Sequence, residues 1–502
     1  MLRATFFTPT FSPIPSPAAP LRVERLSWAA LGGPQTAQLR AAGAEADLWA
    51  LADLLRKPVE IRNACAQAVW WGYVESVRVT AGGWEAQISL APMANRIAVA
   101  YARLAPGSRF PSERKTTPWA DDLTSQAAYG VKERLASLDS ATDEQALRHR
   151  DALLQASAQP ARRFTRLQQA PGQPFAQITC QGWWSMVAWQ RYIQPAGWVG
   201  NEGYADGAQA VGAAFTAAAQ PFVISGASWW VEEIWVRARK NGQPGYPLRL
   251  ALCADADGQP GEALTALDIA PELISREETH WIGGTLRERA CLQPGQTYWL
   301  KAAPTGNLWP AGSYSLDVSA VGPANVLIFD GAGWIARQPQ AGLLFKALGT
   351  QETTAQIASA VLGTQPEDYI TNVSQETGSG IYTCAYRDGD TSRQAVVREL
   401  LECGTARGER LLASIGAHRS LDISVAPSPG ARDWWMAPDG QVYDEYMSRV
   451  PAAVAPVGRW LRFLGAAHLG MPWADPSHPL RVFVESAEYD ATTGQLRLGY
   501  ST

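Results

Sequence analysis

The stretch VWWGYVESVRVTAGGWEAQISL, residues 69–90, decides the fold class of this chain. Apolar and polar side chains alternate on both sides of Gly82-Gly83, and a period of two is the pattern of a half-buried β-strand. Two glycines between two such runs favour a tight turn with positive φ angles. The stretch therefore predicts a β-hairpin with strands over 69–80 and 84–90.

Similar runs on both sides of this hairpin predict a first β-unit over residues 21–105. Further strands are predicted at 21–28, 59–62 and 95–101. Residues 46–56 are the exception, because their apolar side chains recur at helical spacing until Pro58 ends the helix. Residues 1–20 precede the unit as an extended arm rich in Pro, Thr and Ser. The unit is expected to be a small antiparallel barrel or sandwich with one helix.

Residues 106–205 are interpreted as a connecting helix followed by the aromatic-rich strands of a second unit. The helix is predicted over 139–158, with Thr142 as its N-cap. The aromatic segment GWWSMVAWQRY spans 182–192. Residues 197–220 are rich in Gly and Ala and weakly patterned, so a domain junction is placed there.

The pattern from 206 to 349 is purely β and predicts an inserted sandwich. Strands recur every 8–12 residues, separated by turn signals such as Asn241-Gly242 and Asp257-Gly258. Residues 350–502 have a mixed pattern that predicts an α+β unit. Its predicted elements are helices at 354–362 and 392–403, a strand at 380–386, and a hairpin around Thr493-Gly494.

Composition agrees with these patterns. A chain of 502 residues is too long for one hydrophobic core. Hydrophobic residues make up 46% and charged residues 18%, as in globular proteins. The sequence thus predicts a mainly β fold with a few helices, built from several antiparallel barrels and sandwiches.

Charge and hydropathy bear on partners and location. The formal net charge of −4 gives no electrostatic reason to expect nucleic acid as a partner. No window approaches 18 consecutive apolar residues, so no membrane span is expected. The N-terminus has no basic segment followed by an apolar run, so no signal peptide is predicted there. We therefore expect synthesis in the cytoplasm.

The sequence contains few candidate reactive groups. No Gly-x-Ser-x-Gly elbow and no phosphate-binding loop occur. His468 and His478, with Asp475 between them, are a weak metal candidate, and a surface loop is the favoured interpretation. Asp255-Ala-Asp257-Gly258 resembles a calcium-loop fragment but lacks the downstream Glu, which favours a plain turn. Accordingly we expect no enzyme activity, no metal and no cofactor.

The carboxylate pairs and the cysteines give no support for a catalytic site either. The adjacent carboxylates are Asp121-Asp122, Glu232-Glu233 and Glu277-Glu278. Neighbours on a strand point to opposite faces, so adjacency in sequence is poor support for a glycosidase pair. Six cysteines occur without a Cys-x-x-Cys spacing and are interpreted as mostly buried thiols. Cys253 and Cys291 fall in one unit, and the sequence leaves open whether they pair.

Tryptophan is the informative outlier, with 21 copies. Four doublets occur, at 70–71, 183–184, 229–230 and 434–435. On a strand, a doublet places one ring in the core and the other toward solvent or a partner. Four doublets in different segments therefore predict at least one partner-binding surface.

Three segments in order resemble phage tail-tip and baseplate hub proteins. The first runs from WGYVE at 71–75 to NRIAVAY at 95–101. The second is DLTSQAAYGVKE at 122–133, which precedes the helix. The third runs from YRDG at 386–389 to RSL at 419–421. The resemblance implies a ring at the end of the tail tube, expected to be a trimer, in contact with neighbouring tail tube and tail-tip proteins.

The unit at 206–349 interrupts this resemblance and is similar to carbohydrate-binding sandwiches. Its signature is LQPGQTYW at 292–299, downstream of Trp281. The resemblance implies a module that binds host-surface glycan in the virion tail, and the candidate stacking residues are Trp229, Trp230 and Trp309. Two alternatives stay open: a secreted or surface glycan-active protein, and a purely architectural tail protein without a ligand.

Overall fold

The fold is known from a computed structural model. It describes residues 2–104, 111–168, 172–193, 197–306, 312–320, 324–350, 361, 372–375, 390–463 and 481–501, apart from 204, 213, 225–227, 406, 431, 438 and 452. The predicted fold class is confirmed, because the chain is mainly β with few helices. Within the described part of the chain, no helix is long and apolar enough to cross a membrane.

The N-terminal part contains twelve described strands and three α-helices. They are β1 Arg3–Phe6, β2 Leu21–Ala29, β3 Gly33–Ala42, α1 Glu45–Ala50, β4 Pro58–Arg62, β5 Ala68–Ala81, β6 Trp84–Ser89, β7 Arg96–Leu104, β8 Pro111–Thr116, β9 Ala120–Asp121, α2 Leu123–Tyr129, β10 Glu133–Ala141, α3 Asp143–Ser157, β11 Ala161–Arg166 and β12 Phe175–Gly182. Short 3₁₀ helices follow α1 and β12, at Leu51–Leu54 and Trp183–Trp189.

The middle part is entirely β apart from a 3₁₀ turn at Pro271–Leu273. Its strands are β13 Trp198–Asn201, β14 Gly207–Val211, β15 Ala217–Val223, β16 Trp229–Gly242, β17 Leu248–Ala256, β18 Gln259–Ile269, β19 His280–Leu292, β20 Thr297–Pro304, β21 Gly312–Ser319, β22 Leu327–Phe329, β23 Trp334–Ala336, β24 Gly342–Leu343 and β25 Phe345–Thr350.

The C-terminal part mixes one further described helix with short strands. They are β26 Asn372–Gln375, α4 Arg393–Glu402, β27 Leu411–Ile415, β28 Ser420–Val425, β29 Trp434–Met436, β30 Val442–Tyr443, β31 Trp460–Phe463, β32 Arg481–Asp490 and β33 Gln495–Ser501.

Strands from both ends of the chain share one 13-stranded sheet, here called the platform. It contains β1–β6, β11, β12 and β29–β33. The two ends join where β2 pairs with β32, from Arg25 opposite Asp490 to Ala29 opposite Ser486. The hairpin predicted at Gly82-Gly83 forms between β5 and β6. At the centre, Gly72 of β5 faces Gly182 of β12, and a Cβ on Gly72 would lie 2.0 Å from the Gln181 carbonyl oxygen.

Two smaller sheets flank the platform. One holds β7–β10, with β10 parallel to β7 and α3 packed against both. The other holds β26–β28. The predicted cap of α3 is confirmed, since the Thr142 hydroxyl accepts from the Gln145 N–H in a capping box. However, α3 begins at Asp143 and not at 139, because residues 139–141 belong to β10, whose Ser140 and Ala141 pair with β7.

The middle part forms a closed sandwich of a seven-stranded and a six-stranded sheet. The first holds β13, β14, β16, β19, β21, β24 and β25, and the second holds β15, β17, β18, β20, β22 and β23. All side chains of its main core lie between residues 199 and 347. First and last strands pair, with Trp198 opposite Leu348. The sandwich therefore leaves and rejoins the chain side by side, as an insertion requires.

The segments that precede and follow the sandwich also contact each other outside it. Arg191 bridges to Ser392, and the Arg393 N–H donates to the Gln190 carbonyl at 2.9 Å. The Gln394 side chain donates to the Trp184 carbonyl at 2.9 Å. Helix α4, capped by the Ser392 side chain, thus rests on the 3₁₀ helix that precedes the sandwich.

Several predicted boundaries need correction. Residues 106–205 do not form a second unit, because β11 pairs with β6, and β12 pairs with β3 and β5. The sandwich begins before 206, since β13 is one of its strands. The aromatic segment 183–189 is a 3₁₀ helix and not a strand, and its indoles are buried between the platform and α4.

The turn at Asp257-Gly258 is confirmed. Both residues have positive φ, 53° and 79°, and they join β17 to β18. Cys253 and Cys291 are free thiols on opposite outer faces of the sandwich, so they do not pair.

Some predictions fall outside the described residues. They are the helix at 354–362 apart from Val361, the strand at 380–386, the YRDG segment at 386–389, Cys384, Trp309, and the group His468, Asp475 and His478.

Candidate ligand-binding face of the sandwich

The outer face of the seven-stranded sheet is the candidate site, and β16 runs along its middle. Alternation on β16 buries Trp229, which is 3% exposed, and turns Trp230 outward, where it is 53% exposed. A bulge between Val231 and Glu233 adds one residue. After the bulge, Glu233, Trp235 and Arg237 face outward, on the same side as Trp230. With a rise of about 3.4 Å per residue, Trp230 and Trp235 lie roughly 14 Å apart along the strand.

A row across four strands forms the centre of this face: Gly200 of β13, Lys346 of β25, Trp235 of β16 and Gly283 of β19. Neither glycine position accepts a side chain. A Cβ on Gly283 would lie 2.1 Å from the Ile234 carbonyl oxygen, and one on Gly200 would lie 2.5 Å from that of Phe345. Lys346 and Trp235 are therefore flanked by bare backbone, and the row is shallow and open at both ends.

Two indole rings hold the Lys346 ammonium. Its Nζ lies 4.6 Å from the centroid of Trp281 and 5.9 Å from that of Trp235. Trp281 stands on β19 opposite Arg237. Cations are attracted to the negative face of an aromatic ring at these distances. The Lys346 stem thus links the two tryptophans into one aromatic surface. The outer face of the seven-stranded sheet, which carries this surface and Trp230, is called the open face below.

Polar groups surround the open face. The Trp235 Nε1–H donates to Glu233 Oε2 at 2.9 Å. Arg237 Nε lies 3.2 Å from Asp317 Oδ2. Burial raises the pKa of Asp317, whereas its hydrogen bond with Thr279 and the charge of Arg237 act in the opposite direction. The face therefore offers carboxylates, a guanidinium and an ammonium beside flat apolar rings.

This combination suits binding of a ring-shaped, hydroxyl-rich molecule. Indole rings supply a flat apolar contact surface, and few, fixed polar groups orient a ligand. Among the described residues, no group of three or more His, Cys, Asp or Glu side chains is placed to hold a metal ion.

Of the three predicted stacking residues, the structure places one on this face. Trp230 belongs to it, whereas Trp229 is part of the sandwich core and its ring is not available to a surface ligand. Sequence reasoning missed Trp235, Trp281 and Lys346. Strict alternation from Trp230 would turn Trp235 inward, and only the bulge reverses this.

The outer face of the six-stranded sheet carries similar residues in a closed arrangement, called the closed face. Trp299 is 4% exposed and packs with Ala219, Ala251 and Cys253. Its Nε1–H donates to Asp255 Oδ1 at 2.7 Å. Lys301 Nζ lies 5.7 Å from the centroid of Trp334.

The other doublets belong mainly to the platform interior. Trp70 is fully buried and Trp434 is 8% exposed, while their partners Trp71 and Trp435 are half-buried. The Trp71 Nε1–H donates to the Ile415 carbonyl at 2.6 Å. Both rings of the remaining doublet, 183–184, are buried. Only at 229–230 does a doublet expose a large part of one ring.

Comparison with known proteins gives weak similarities. No family model matches the chain, and no curated protein matches it. Among solved structures, the mosquito-larvicidal Cry4Aa toxin of Bacillus thuringiensis is similar at 7% identity with a TM-score of 0.19; the match covers 68% of this chain and 54%, about half, of the toxin.

Two structures from viruses are also similar. The 43 kDa tail protein of prophage MuSo2 from Shewanella oneidensis matches at 10% identity with a TM-score of 0.19, covering 59% of this chain and 97% of that one. A structure of infectious bursal disease virus, Gx strain, matches at 10% identity with a TM-score of 0.16, covering 68% and 83%. TM-scores this low establish neither a shared fold nor a shared function.

Proposed function

We propose that the chain is a structural component of a phage-type tail tip, in which the platform assembles into a ring and the sandwich attaches to host-surface glycan. The main supporting observation is the insertion. A closed sandwich leaves and rejoins a platform built from both ends of the chain. Such a module can project from an assembly without interrupting its core.

An unpaired edge of the platform supports the assembly part of the proposal. In the described part of the chain, β11 pairs only with β6, and its side chains are largely exposed. Phe164 on β11 is 72% exposed, and Trp84 on β6, two residues from its partner position and on the same face, is 53% exposed. Exposed edge strands with apolar side chains are normally covered in the working assembly. We place a neighbouring subunit or tail protein there.

The ring is tested on the purified full chain by light scattering after size-exclusion chromatography and by negative-stain electron microscopy. A closed ring, expected to be a trimer, supports the proposal. Phe164→Glu should dissociate it, whereas Tyr446→Glu, at a side chain that is 82% exposed on the C-terminal part, should not. A monomer at all concentrations, with no binding to tail tube proteins, argues against an assembly role.

The binding part is tested with the full chain on a glycan array. Trp281→Ala and Trp230→Ala should reduce the signal, because both rings lie on the open face. Lys301→Gln on the closed face is the matched control and should bind as wild type. If the ring forms but the sandwich binds no glycan, the attachment role is rejected and the purely architectural role remains.

A further inference from the structure

Lys346 differs in its partners from Arg237 and Arg289, two arginines of the same sheet. Arg237 lies beside Asp317 at 3.2 Å, and Arg289, at the margin of the sheet, lies 2.9 Å from Glu232. For Lys346 the contacts are the two indole rings. No carboxylate of the described residues lies within ion-pair distance of its Nζ. One positive charge on this face is therefore positioned but not neutralised.

The rings fix the ammonium without cancelling its charge. A ring quadrupole attracts a cation but carries no net charge, so the field of Lys346 extends to a ligand placed on the row. The nearest carboxylate along β16 is Glu233, and it already accepts from Trp235 Nε1 at 2.9 Å. An anionic group that reaches Nζ would replace water on the ammonium and form a charge-assisted hydrogen bond.

The bare backbone on both sides makes this approach possible. Gly200 and Gly283 end the row with no side chain, so a chain-like ligand can cross the strands over Lys346 and Trp235. A ligand lying along the row beside Trp281 would then bring a substituent toward Nζ, which lies over the Trp281 ring at 4.6 Å from its centroid.

We propose that the open face recognises an anionic polysaccharide, with Lys346 as the residue that reads the negative group. This rests on the proposed function, in which the same face binds glycan. Carboxylate, sulfate and phosphate substituents share the required chemistry, and the probes distinguish them. A neutral polysaccharide would use the indole rings and leave the Lys346 ammonium without a partner.

The experiment measures binding of the full chain by biolayer interferometry to polygalacturonate and alginate, dextran sulfate, teichoic acid, and neutral dextran and mannan. At least one acidic class should bind, and its affinity should fall as salt rises. Lys346→Gln should weaken that binding about tenfold or more, a loss of one charge-assisted contact. Lys346→Arg should retain most of it.

Variants at Lys301 and Glu233 test whether the effect of Lys346 is specific to that residue. Lys301→Gln removes the equivalent charge over Trp334 on the closed face and should leave affinity unchanged. Glu233→Gln removes the nearby negative charge and should raise affinity for the acidic probe. Equal losses in Lys346→Gln and Lys301→Gln would overturn the specific role of Lys346.

Two other results discriminate between the proposals. Binding to neutral probes alone, sensitive to Trp281→Ala but not to Lys346→Gln, overturns the anionic preference and leaves glycan attachment standing. Binding of no probe by wild type, with Trp281→Ala indistinguishable from it, overturns both the anionic preference and glycan attachment.

Discussion

Lys346 on the sandwich and Lys132, in the segment between α2 and β10, each place an ammonium over a tryptophan, in opposite surroundings. Lys132 Nζ lies 5.1 Å from the centroid of Trp189 and donates to the Leu90 and Ala91 carbonyls, both at 2.7 Å. Burial lowers the pKa of Lys132 to about 8, although the charge of Glu75 acts to raise it. For Lys346, the contacts among the described residues are the rings alone.

The difference separates a structural ammonium from one available to a ligand. A buried charge costs free energy unless its donors are used, and Lys132 uses them on backbone that connects β6 to β7. Lys346 lies on an open surface, where water can accept hydrogen bonds from its ammonium group. The two faces of the sandwich repeat this contrast, because Trp299 is enclosed and hydrogen-bonded whereas Trp230 is half exposed.

The largest expected effect is a loss of stability caused by a substitution on the closed face. Trp299→Ala removes a ring that is 4% exposed and should destabilise the sandwich by about 3–5 kcal/mol. Trp230→Ala, at a ring that is 53% exposed, should change stability by no more than about 0.5 kcal/mol. Differential scanning calorimetry of the full chain, resolving the sandwich transition, measures both.

The pair of variants is its own control, since each removes one indole from the same module. Equal destabilisation by the two would show that the open face is also part of the core. In that case Trp230 would be a poor candidate for ligand contact.

The next effect concerns Lys132, outside the sandwich, and depends on pH. The folded pKa of Lys132 is about 8, below its ordinary value of 10.5. Between these values the unfolded lysine keeps its proton while the folded one has lost it. The unfolded state then binds more protons, so stability rises with pH across this window. Below pH 8 both states are protonated, and the cost of burying the charge is fully present.

Lys132→Met removes this contribution and serves as the reference, because all other titrating groups are common to both proteins. The stability of wild type relative to Lys132→Met should increase from pH 8 toward pH 10, by an amount on the order of 2 kcal/mol. Urea denaturation at closely spaced pH values measures it. Parallel pH profiles for the two proteins would contradict the buried position of Lys132.

Much of the architecture could be predicted from the sequence. Period-two alternation and glycine turns gave the hairpin of β5 and β6, the sandwich and the final hairpin. The cap at Thr142 followed from local chemistry. The joining of β2 with β32 is a contact between residues more than 450 apart in sequence, and no local pattern specifies it. The domain boundaries at 105 and 205 failed for the same reason, since long-range pairing assigns β11, β12 and β13 to their sheets.

The candidate site was found only in part. Trp230 followed from alternation, but the bulge at Val231–Glu233 reverses the facing of every later residue on β16. Trp281 and Lys346 come from other strands, so their meeting with Trp235 depends on register. A bulge leaves little trace in sequence, and the adjacent carboxylates Glu232-Glu233 are the one unusual feature at that point.

The smallest expected effect is the stability lost when one hydrogen-bond acceptor is removed on each face of the sandwich. Asp255→Ala leaves the Trp299 Nε1–H without its acceptor at 2.7 Å, and because that ring is buried, stability should fall by about 1 kcal/mol. Glu233→Ala removes the acceptor of Trp235 Nε1 at 2.9 Å. Water can reach this partly buried ring, so the loss should be about 0.3 kcal/mol. Calorimetry again gives the comparison. A larger loss for Glu233→Ala than for Asp255→Ala would reverse the assignment of the faces, making the Trp235 side the structural one.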